Sequence, residues 1–212
     1  MSDDKRLFSR HYLNSLHPLD KATREFIGDK LQSETYEKGS LICEPGDILD
    51  RIFLIKRGLV RGFYRLNGAE ITSWMSCEDE FFSTGGFFKR APANEGIDAL
   101  ETAQVEFLRF EDFQEAISRF PDFLMLFNKM IMEYYAAAEI RALLSRIPGA
   151  AARFRFMVSL HPPGLVERMP NKYLASYLNM RPETLSRLIK SAEKGGDSSS
   201  NPLAVDGWRP WK

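Results

Sequence analysis

The feature that most constrains the fold is a change in hydrophobic period near residue 110. Between Thr35 and Phe110 the chain contains many short strand-like runs, separated by turn dipeptides such as Arg57-Gly58 and Asn67-Gly68. An Asn-Gly pair between alternating runs is a strong β-hairpin signal, and many short strands at close spacing are typical of a sandwich or barrel. The stretch 122–146 has neither Gly nor Pro, which predicts one long helix. This order predicts a β-rich part followed by a helical part.

Shorter helices are predicted on both sides of these two parts. Residues 7–33 have a helical pattern, and Asp20 is the expected N-cap of its second piece. A further helix is predicted from Ala150 to Leu160, directly after the hinge candidate Pro148-Gly149.

The long predicted helix has an apolar seam. Members of the seam are separated by three and four residues, which is the spacing of the core positions of a coiled coil. A dimer of two such helices and a long helix packed on its own domain both fit this pattern. Arg141 places a charge on the seam. The candidate dimer-interface residues are Phe127, Met130, Ile131, Tyr134, Ala137, Ala138, Arg141 and Leu144.

Residues 171–190 are predicted to form two short helices joined by a tight turn. Asn179 begins the turn, because Asn tolerates the positive φ that a sharp turn between helices requires. Pro182 suits the first position of the second helix, where its missing N–H costs no hydrogen bond. The small Ala175 allows the two helices to cross closely. The second helix carries residue types that contact bases and phosphates in a DNA major groove.

The composition limits the classes of protein to consider. The 212 residues include 29 basic and 29 acidic residues, so the chain is not uniformly basic, although one basic patch is compatible with this balance. Cys43 and Cys77 are the only cysteines and form no CxxC pair, which fits a reducing compartment. The sequence has no apolar run long enough to cross a membrane, and its N-terminus lacks an apolar signal core. We therefore expect a cytoplasmic protein.

The order of these parts resembles the Crp/Fnr family of bacterial transcription regulators. The resemblance covers roughly residues 10–192 and is most specific in LICEPGD, IFLIKRGLVRGFYRLNG and LASYLNMRPETLSRLIK. It implies an α+β fold with a jelly-roll-like β-roll of the cyclic-nucleotide-binding type, a long dimerisation helix, and an all-α helix–turn–helix domain whose wing is reduced or absent. The implied divisions are an effector domain at 1–120, the dimerisation helix at 121–147, the DNA-binding domain at 148–194 and a mobile tail at 195–212.

The resemblance also implies which residues bind DNA. The recognition helix of the family has a pattern like R-E-T-x-x-R, which corresponds here to residues 182–187, PETLSR. Glu183 and Arg187 resemble the base readers, since a carboxylate accepts from cytosine and Arg bonds guanine in bidentate fashion. Pro182 replaces the first Arg of the family pattern, and the neighbouring Arg181 is a partial substitute. The candidate phosphate contacts are Thr184, Ser186 and Lys190.

The residues that would hold a cyclic nucleotide depart from the family pattern. Members that bind one have a Gly-Glu-Leu turn and a later Arg-Ser pair, where this chain has Ser83-Thr84-Gly85 and Ala93-Asn94. The anchoring Arg is absent, although Arg90 is close in sequence, and an unneutralised phosphate in a partly buried pocket is costly. We expect weak or no binding of cyclic AMP. The candidate effector pocket comprises Phe82, Ser83, Thr84, Gly85, Ala93 and Asn94.

Other cofactors of the family, and an enzyme built on the same roll, find no support in the sequence. Oxygen-sensing members have an N-terminal cysteine cluster, whereas no cysteine precedes Cys43 here. His11, His17 and His161 are scattered, which gives no haem site and argues against a metal-dependent, cupin-like enzyme. We expect no enzymatic activity, no cofactor and no metal. Most aromatic residues of the roll are expected to be core, and a few remain candidates for lining an apolar ligand pocket.

The sequence thus predicts a homodimeric transcription regulator that reads a pseudo-palindromic operator, with an effector other than cyclic AMP or with none. The implied partners are double-stranded DNA, a second copy of the chain, RNA polymerase and an unidentified small-molecule effector. The alternative is a small-ligand-binding or protein-interaction module that no longer binds DNA. The absence of a wing pattern after Lys194 and the presence of Pro182 favour that alternative.

Overall fold

The computed structural model describes residues 17–161 and 164–194, without the side chains of the last two residues. The first piece of the helix predicted for residues 7–33 lies outside the described residues. The same is true of the tail predicted for 195–212 and of any wing after Lys194, so those predictions stay predictions.

Within the described residues, eight strands form a β-roll of two sheets. The sheet orders are β1-β8-β3-β6 and β2-β7-β4-β5, and every neighbouring pair is antiparallel. A buried apolar cluster that includes Phe53, Trp74 and Val105 joins residues of both sheets. The jelly-roll-like β-roll predicted from the sequence is confirmed. The strands are β1 (Gln32–Tyr36), β2 (Leu41–Cys43), β3 (Arg51–Arg57), β4 (Val60–Leu66), β5 (Ala69–Ser76), β6 (Phe81–Phe82), β7 (Gly96–Ala99) and β8 (Ala103–Arg109).

The turn between β4 and β5 follows from its two central residues. Leu66 pairs with Ala69, which leaves Asn67 and Gly68 as a two-residue loop. Their φ values are 51° and 79°. Positive φ at both central residues is the mark of a type I′ turn, whose twist matches that of the paired strands. The hairpin predicted from the Asn-Gly pair is confirmed.

The helices lie on both sides of the roll in sequence. They are α1 (Lys21–Lys30), α2 (Phe110–Arg119), α3 (Pro121–Arg146), α4 (Ala150–Leu160), α5 (Leu165–Arg168), α6 (Asn171–Tyr177) and α7 (Pro182–Lys194). A short 3₁₀ turn covers Phe87–Lys89. Within the described ranges, no helix combines the length and the hydropathy that crossing a membrane requires.

The boundaries of α1 and α3 test the sequence predictions. Asp20 is the N-cap of α1, as predicted, because its carboxylate accepts from the Thr23 N–H (2.7 Å). The prediction of helix as far as residue 33 is wrong, since Gln32 pairs with Phe107 in the sheet. Pairing with β8 therefore overrides the helical pattern after Lys30. The long helix α3 matches the predicted stretch 122–146 to within one residue.

The start of α3 is fixed to the start of α1. The Asp122 carboxylate accepts from the Asp20 N–H and from the Thr23 hydroxyl, both at 2.7 Å. Burial alone would raise the pKa of Asp122, but these hydrogen bonds and one from the Phe123 N–H outweigh it and hold the pKa below its ordinary value. The ionised carboxylate thus joins the N-terminal ends of two helices, where negative charge is favourable.

The chain consists of two compact units that divide between Tyr134 and Tyr135, within α3. In the first unit, the beginning of α3 packs through Phe123, Leu126 and Met130 into an apolar cluster with residues of α1, α2 and β8. The second unit holds the rest of α3 and the helices α4 to α7.

Close packing at Gly62 shapes the core of the roll. Gly62 pairs with Trp74 across β4 and β5, and a Cβ added at Gly62 would lie 2.1 Å from the indole ring. We expect Gly62→Ala to lower the free energy of unfolding by about 1–3 kcal/mol, because the buried indole would have to leave its position. Denaturant titration followed by Trp fluorescence measures this change.

The matched control for Gly62→Ala is Gly85→Ala. Gly85 is exposed, has no positive φ, and has no heavy atom within 4 Å of the position that a Cβ would occupy. Equal stability of the two variants would contradict the role assigned to the contact between Gly62 and Trp74.

Candidate functional site

Helices α6 and α7 are in contact, and the small residue Ala175 of α6 is buried. Ala175, Leu174 and Leu178 on one side and Leu185 on the other have 0% of their surface exposed. The Met180 N–H donates to the Ala175 carbonyl (3.0 Å), which folds the turn directly onto α6. The predicted helix–turn–helix is therefore present, and the role of Ala175 at the crossing of its helices stays a prediction.

The turn between the two helices has the conformation that its residues predict. Asn179 has a φ of 50°, in the left-handed region that Asn tolerates better than most residues. Pro182 is the first residue of α7, a position at which its fixed φ favours helix. The Arg181 carbonyl accepts from the N–H groups of Thr184 and Leu185 and begins the helix.

The outward surface of α7 holds the residues that the resemblance assigned to DNA. Arg181, Glu183, Arg187 and Lys190 are exposed, and Thr184 and Ser186 are half-buried. Leu185, on the opposite side of the helix, is buried. The helix presents two cations and one carboxylate, and Arg181 adds a third cation in the turn before it, so that this surface can donate to phosphates and to guanine and accept from cytosine.

The candidate effector residues are divided between core and surface. Phe82 and Ala93 belong to the apolar core of the roll, and Phe82 stacks on Phe53 with ring centroids 4.7 Å apart. Ser83 donates from its hydroxyl to the Arg51 carbonyl (2.8 Å). Gly85 and Asn94 are exposed, whereas the Thr84 hydroxyl is buried and has no hydrogen-bond partner among the described residues.

The six candidate effector residues include no cation, and Arg90, the nearest one in sequence, is engaged elsewhere. The Arg90 guanidinium pairs with Glu111 (3.2 Å) and lies over the Phe110 ring, 4.8 Å from its centroid. Arg90 therefore makes its contacts with α2. An anion bound beside Thr84 would need a positive charge from another part of the molecule.

A buried carboxylate that the sequence reasoning missed lies next to the candidate pocket. Glu95 is 8% exposed and accepts from the Trp74 indole N–H (3.0 Å). Burial, followed in size by the charges of Asp47 and Glu95, raises the pKa of the Cys43 thiol to about 11. Burial and then Glu95 also raise the pKa of Tyr64. Both groups are therefore harder to ionise than in water, mainly because they are partly buried and in addition because Glu95 is close.

An apolar cavity of about 60 Å³ lies elsewhere in the first unit. Residues of α1, β3, β8 and the beginning of α3 line it, including Ile27, Ile52, Leu126 and Met130. For comparison, a cavity of about 150 Å³ holds one benzene molecule. The present cavity is therefore too small for a nucleotide or a haem.

The candidate dimer residues face two directions. Phe127 and Met130 pack in the apolar cluster of their own unit, with the Phe127 ring centroid 4.9 Å from that of Phe113. Leu144 is buried, while Ala137, Ala138 and Arg141 are half-buried. Only Ile131 and Tyr134 of the predicted seam are exposed. The seam predicted from spacing is thus in part the face on which α3 packs within its own chain.

A second apolar face of α3 is exposed, and apart from Ile131 the sequence reasoning missed it. Its residues recur at three, four and seven positions on the side away from Leu126 and Met130, as expected for one helical stripe. The signal was present in the sequence, because this part of the helix has apolar residues on more than one side. The stripe consists of Leu124, Met125, Ile131, Met132 and Tyr135, and Met132 is 71% exposed.

Comparisons with known proteins bear on the roll and on the order of the elements. Residues 33–120 match the family model of the cyclic nucleotide-binding domain. A comparison of the sequence with curated proteins found no match. FixK2 from Bradyrhizobium japonicum is similar in structure, with a TM-score of 0.67 at 18% identity over 80% of this chain and 89% of that chain.

Two further regulators have a similar structure. A CooA mutant from Carboxydothermus hydrogenoformans gives a TM-score of 0.63 at 20% identity, over 79% of this chain and 78% of that chain. CLP from Xanthomonas campestris, a global regulator responsive to c-di-GMP, gives a TM-score of 0.63 at 15% identity, over 84% of this chain and 93% of that chain. This chain has the fold of the Crp/Fnr regulators. The resemblance predicted from the sequence is confirmed.

The turn of the helix–turn–helix depends on the left-handed conformation of Asn179. We expect Asn179→Val to lower the free energy of unfolding by about 1–2 kcal/mol, because a β-branched residue is strained at positive φ. Asn179→Gly is the matched control and should stay within a few tenths of a kcal/mol of the parent. Thermal unfolding measures both changes. A loss of stability in the Gly variant as large as in the Val variant would show that the side chain of Asn179 matters more than its φ.

Proposed function

We propose that the protein is a homodimeric, DNA-binding transcription regulator of the Crp/Fnr type that reads a pseudo-palindromic operator. The observation that carries the proposal is the exposed surface formed by Glu183, Arg187 and Lys190 on α7 and by Arg181 in the turn before it, within a helix–turn–helix in a Crp/Fnr fold. In this proposal the roll is the effector domain, α3 is the dimerisation helix, and residues 148–194 bind DNA.

The proposed roles follow from the chemistry of each side chain. Arg187 donates two hydrogen bonds to a guanine, and Glu183 accepts one from a cytosine. Lys190 and Arg181 neutralise phosphates, and the hydroxyls of Thr184 and Ser186 add phosphate contacts. Pro182 begins the helix and makes no base contact in this arrangement.

The exposed apolar stripe of α3 supports the dimer. A helix with two apolar faces normally has both of them buried, but the apolar cluster of the first unit covers only the face that holds Leu126 and Met130. A second copy of α3 would cover Met125, Met132 and Tyr135 and would relate two recognition helices by a two-fold axis. Two such helices, about 34 Å apart, fit successive turns of the same DNA face.

The arrangement around Glu95 supports an effector other than cyclic AMP, or none. A cyclic phosphate would lie near a buried carboxylate and would find no cation among the six candidate pocket residues. The nearby carboxylate and the lack of a cation among these six residues both disfavour a bound anion. The DNA-binding experiment below is therefore designed without added nucleotide.

The first prediction tests whether Arg187 recognises a DNA base. An operator is first selected from a random DNA pool with the purified protein, and affinities are then measured by fluorescence anisotropy. Arg187→Ala should weaken binding by about 1–3 kcal/mol and relax the preference at one base pair of each half-site, because the bidentate contact is lost. Lys190→Ala is the matched comparison on the same helix. It should weaken binding to all DNA sequences alike and reduce the slope of log affinity against log salt concentration by about 1. Failure of the parent protein to enrich any site would favour the module that no longer binds DNA.

The Met132 prediction tests the dimer. Met132→Asp should yield monomers at micromolar concentration, because an unpaired carboxylate would be buried between two copies of α3. Val158→Asp is the control, since Val158 is also an exposed apolar residue but lies on α4. Light scattering after size-exclusion chromatography distinguishes the two. A Met132→Asp variant that remains dimeric would place the interface elsewhere.

A further inference from the structure

Arg153 lies in the first turn of α4, and its guanidinium binds three main-chain carbonyls. Nε donates to the Leu178 carbonyl (2.8 Å) and Nη2 donates to the Asn179 carbonyl (3.0 Å). Nη1 donates to the Ile147 carbonyl (3.0 Å). Ile147 follows the last residue of the long helix α3, whereas Leu178 and Asn179 follow α6. One side chain therefore connects α4 to the ends of two other helices.

The three carbonyls belong to the kind of group that a cation stabilises. The last carbonyls of a helix have no partner within the helix and carry the negative end of its dipole. The guanidinium offers several donors in one rigid plane and stays charged at any physiological pH. Arg153 thus caps α3 and α6 at the same time and holds their ends at a fixed separation.

The chain between α3 and α4 has little side-chain packing of its own. Pro148 and Gly149 are exposed. Gly149 has a φ of 83°, and no heavy atom lies within 4 Å of the position that a Cβ there would occupy. The direction in which the chain leaves α3 is therefore not set by side chains of the hinge, and the hydrogen bonds of Arg153 cross this hinge.

We propose that Arg153 is a positioning residue that fixes the orientation of the recognition helix α7 relative to the end of α3. Its contacts at Leu178 and Asn179 lie in the turn that leads to Pro182, the first residue of α7. The inference rests on the proposed dimeric DNA binding. In such a dimer the orientation of α7 relative to α3 sets the distance and angle between the two recognition helices, and hence the spacing of half-sites that the protein accepts.

The test compares operators that differ only in the spacer between half-sites. Adding one base pair moves one half-site by about 3.4 Å and rotates it by about 34°. The parent protein should lose at least about tenfold in affinity for the longer operator, whereas Arg153→Gln should lose less than about threefold. The preference at the base pair assigned to Arg187 should be unchanged in Arg153→Gln, because α7 itself is intact.

Two further variants separate orientation from general stability. Arg153→Lys retains the charge and the aliphatic stem but lacks the planar fork, so it should fold and still lose spacer discrimination. Arg155→Gln is the matched control on α4, because Arg155 is exposed, and it should discriminate like the parent. If Arg153→Gln and Arg153→Lys weaken both operators by the same factor, Arg153 is merely structural and the proposal is overturned.

A measurement without DNA separates failure of this inference from failure of the proposed function. Spin labels at Ala142→Cys on α3 and Ser191→Cys on α7 report the distance between the two helices, with Cys77→Ser removing the half-buried thiol. Cys43 is buried and has a pKa of about 11, so it is not labelled at pH 7. The labelled protein is mixed with an excess of unlabelled protein, so that a dimer contains at most one labelled protomer. The measured distances then join labels within the same chain.

The expected result is a narrow distance distribution in the parent and a clearly broader one in Arg153→Gln and Arg153→Lys. Equal widths overturn the proposal. If the parent selects no operator, the DNA-binding function fails, and the label distances alone decide whether Arg153 positions α7.

Discussion

The presence of apolar residues on two faces of α3 is the constraint on which the arrangement of the chain depends. One side, through Phe123, Leu126 and Met130, is buried in the cluster that ties the helix to the roll. The carboxylate of Asp122 fixes the first turn to the start of α1. The remaining side exposes Met132 and its neighbours, which a single copy of the chain leaves in water. Such a helix is stabilised when a partner covers its exposed apolar face.

The interior of the roll shows how a ligand-binding fold can be filled by its own side chains. Gly62 leaves room for the indole of Trp74, and Glu95 satisfies the indole N–H. The ring, its partner carboxylate and the stacked Phe53 and Phe82 form one buried set. The match to the cyclic nucleotide-binding domain describes the strand framework, while Glu95 and Trp74 belong to this chain's own side-chain packing.

Features that depend on neighbours along the chain could be predicted from the sequence. The Asp20 cap, the Asn67-Gly68 turn and the bounds of α3 and α4 are of this kind, because capping and turn chemistry act over a few residues. Features that depend on residues far apart in the sequence could not be predicted in this way. Spacing showed that Phe127 lies on an apolar face of α3 but not which surface that face contacts, and nothing near Glu95 in sequence pointed to Trp74.

The contacts of Arg153 differ in kind from those proposed for α7. Binding of phosphates releases counterions, so the proposed binding of α7 to DNA would weaken steeply as the salt concentration rises. Arg153 binds carbonyl dipoles at the ends of helices, and short hydrogen bonds of this kind are screened far less than separated surface charges. A cell that changes its internal ionic strength would thus alter how tightly such a protein holds DNA while the geometry with which it reads DNA stays the same.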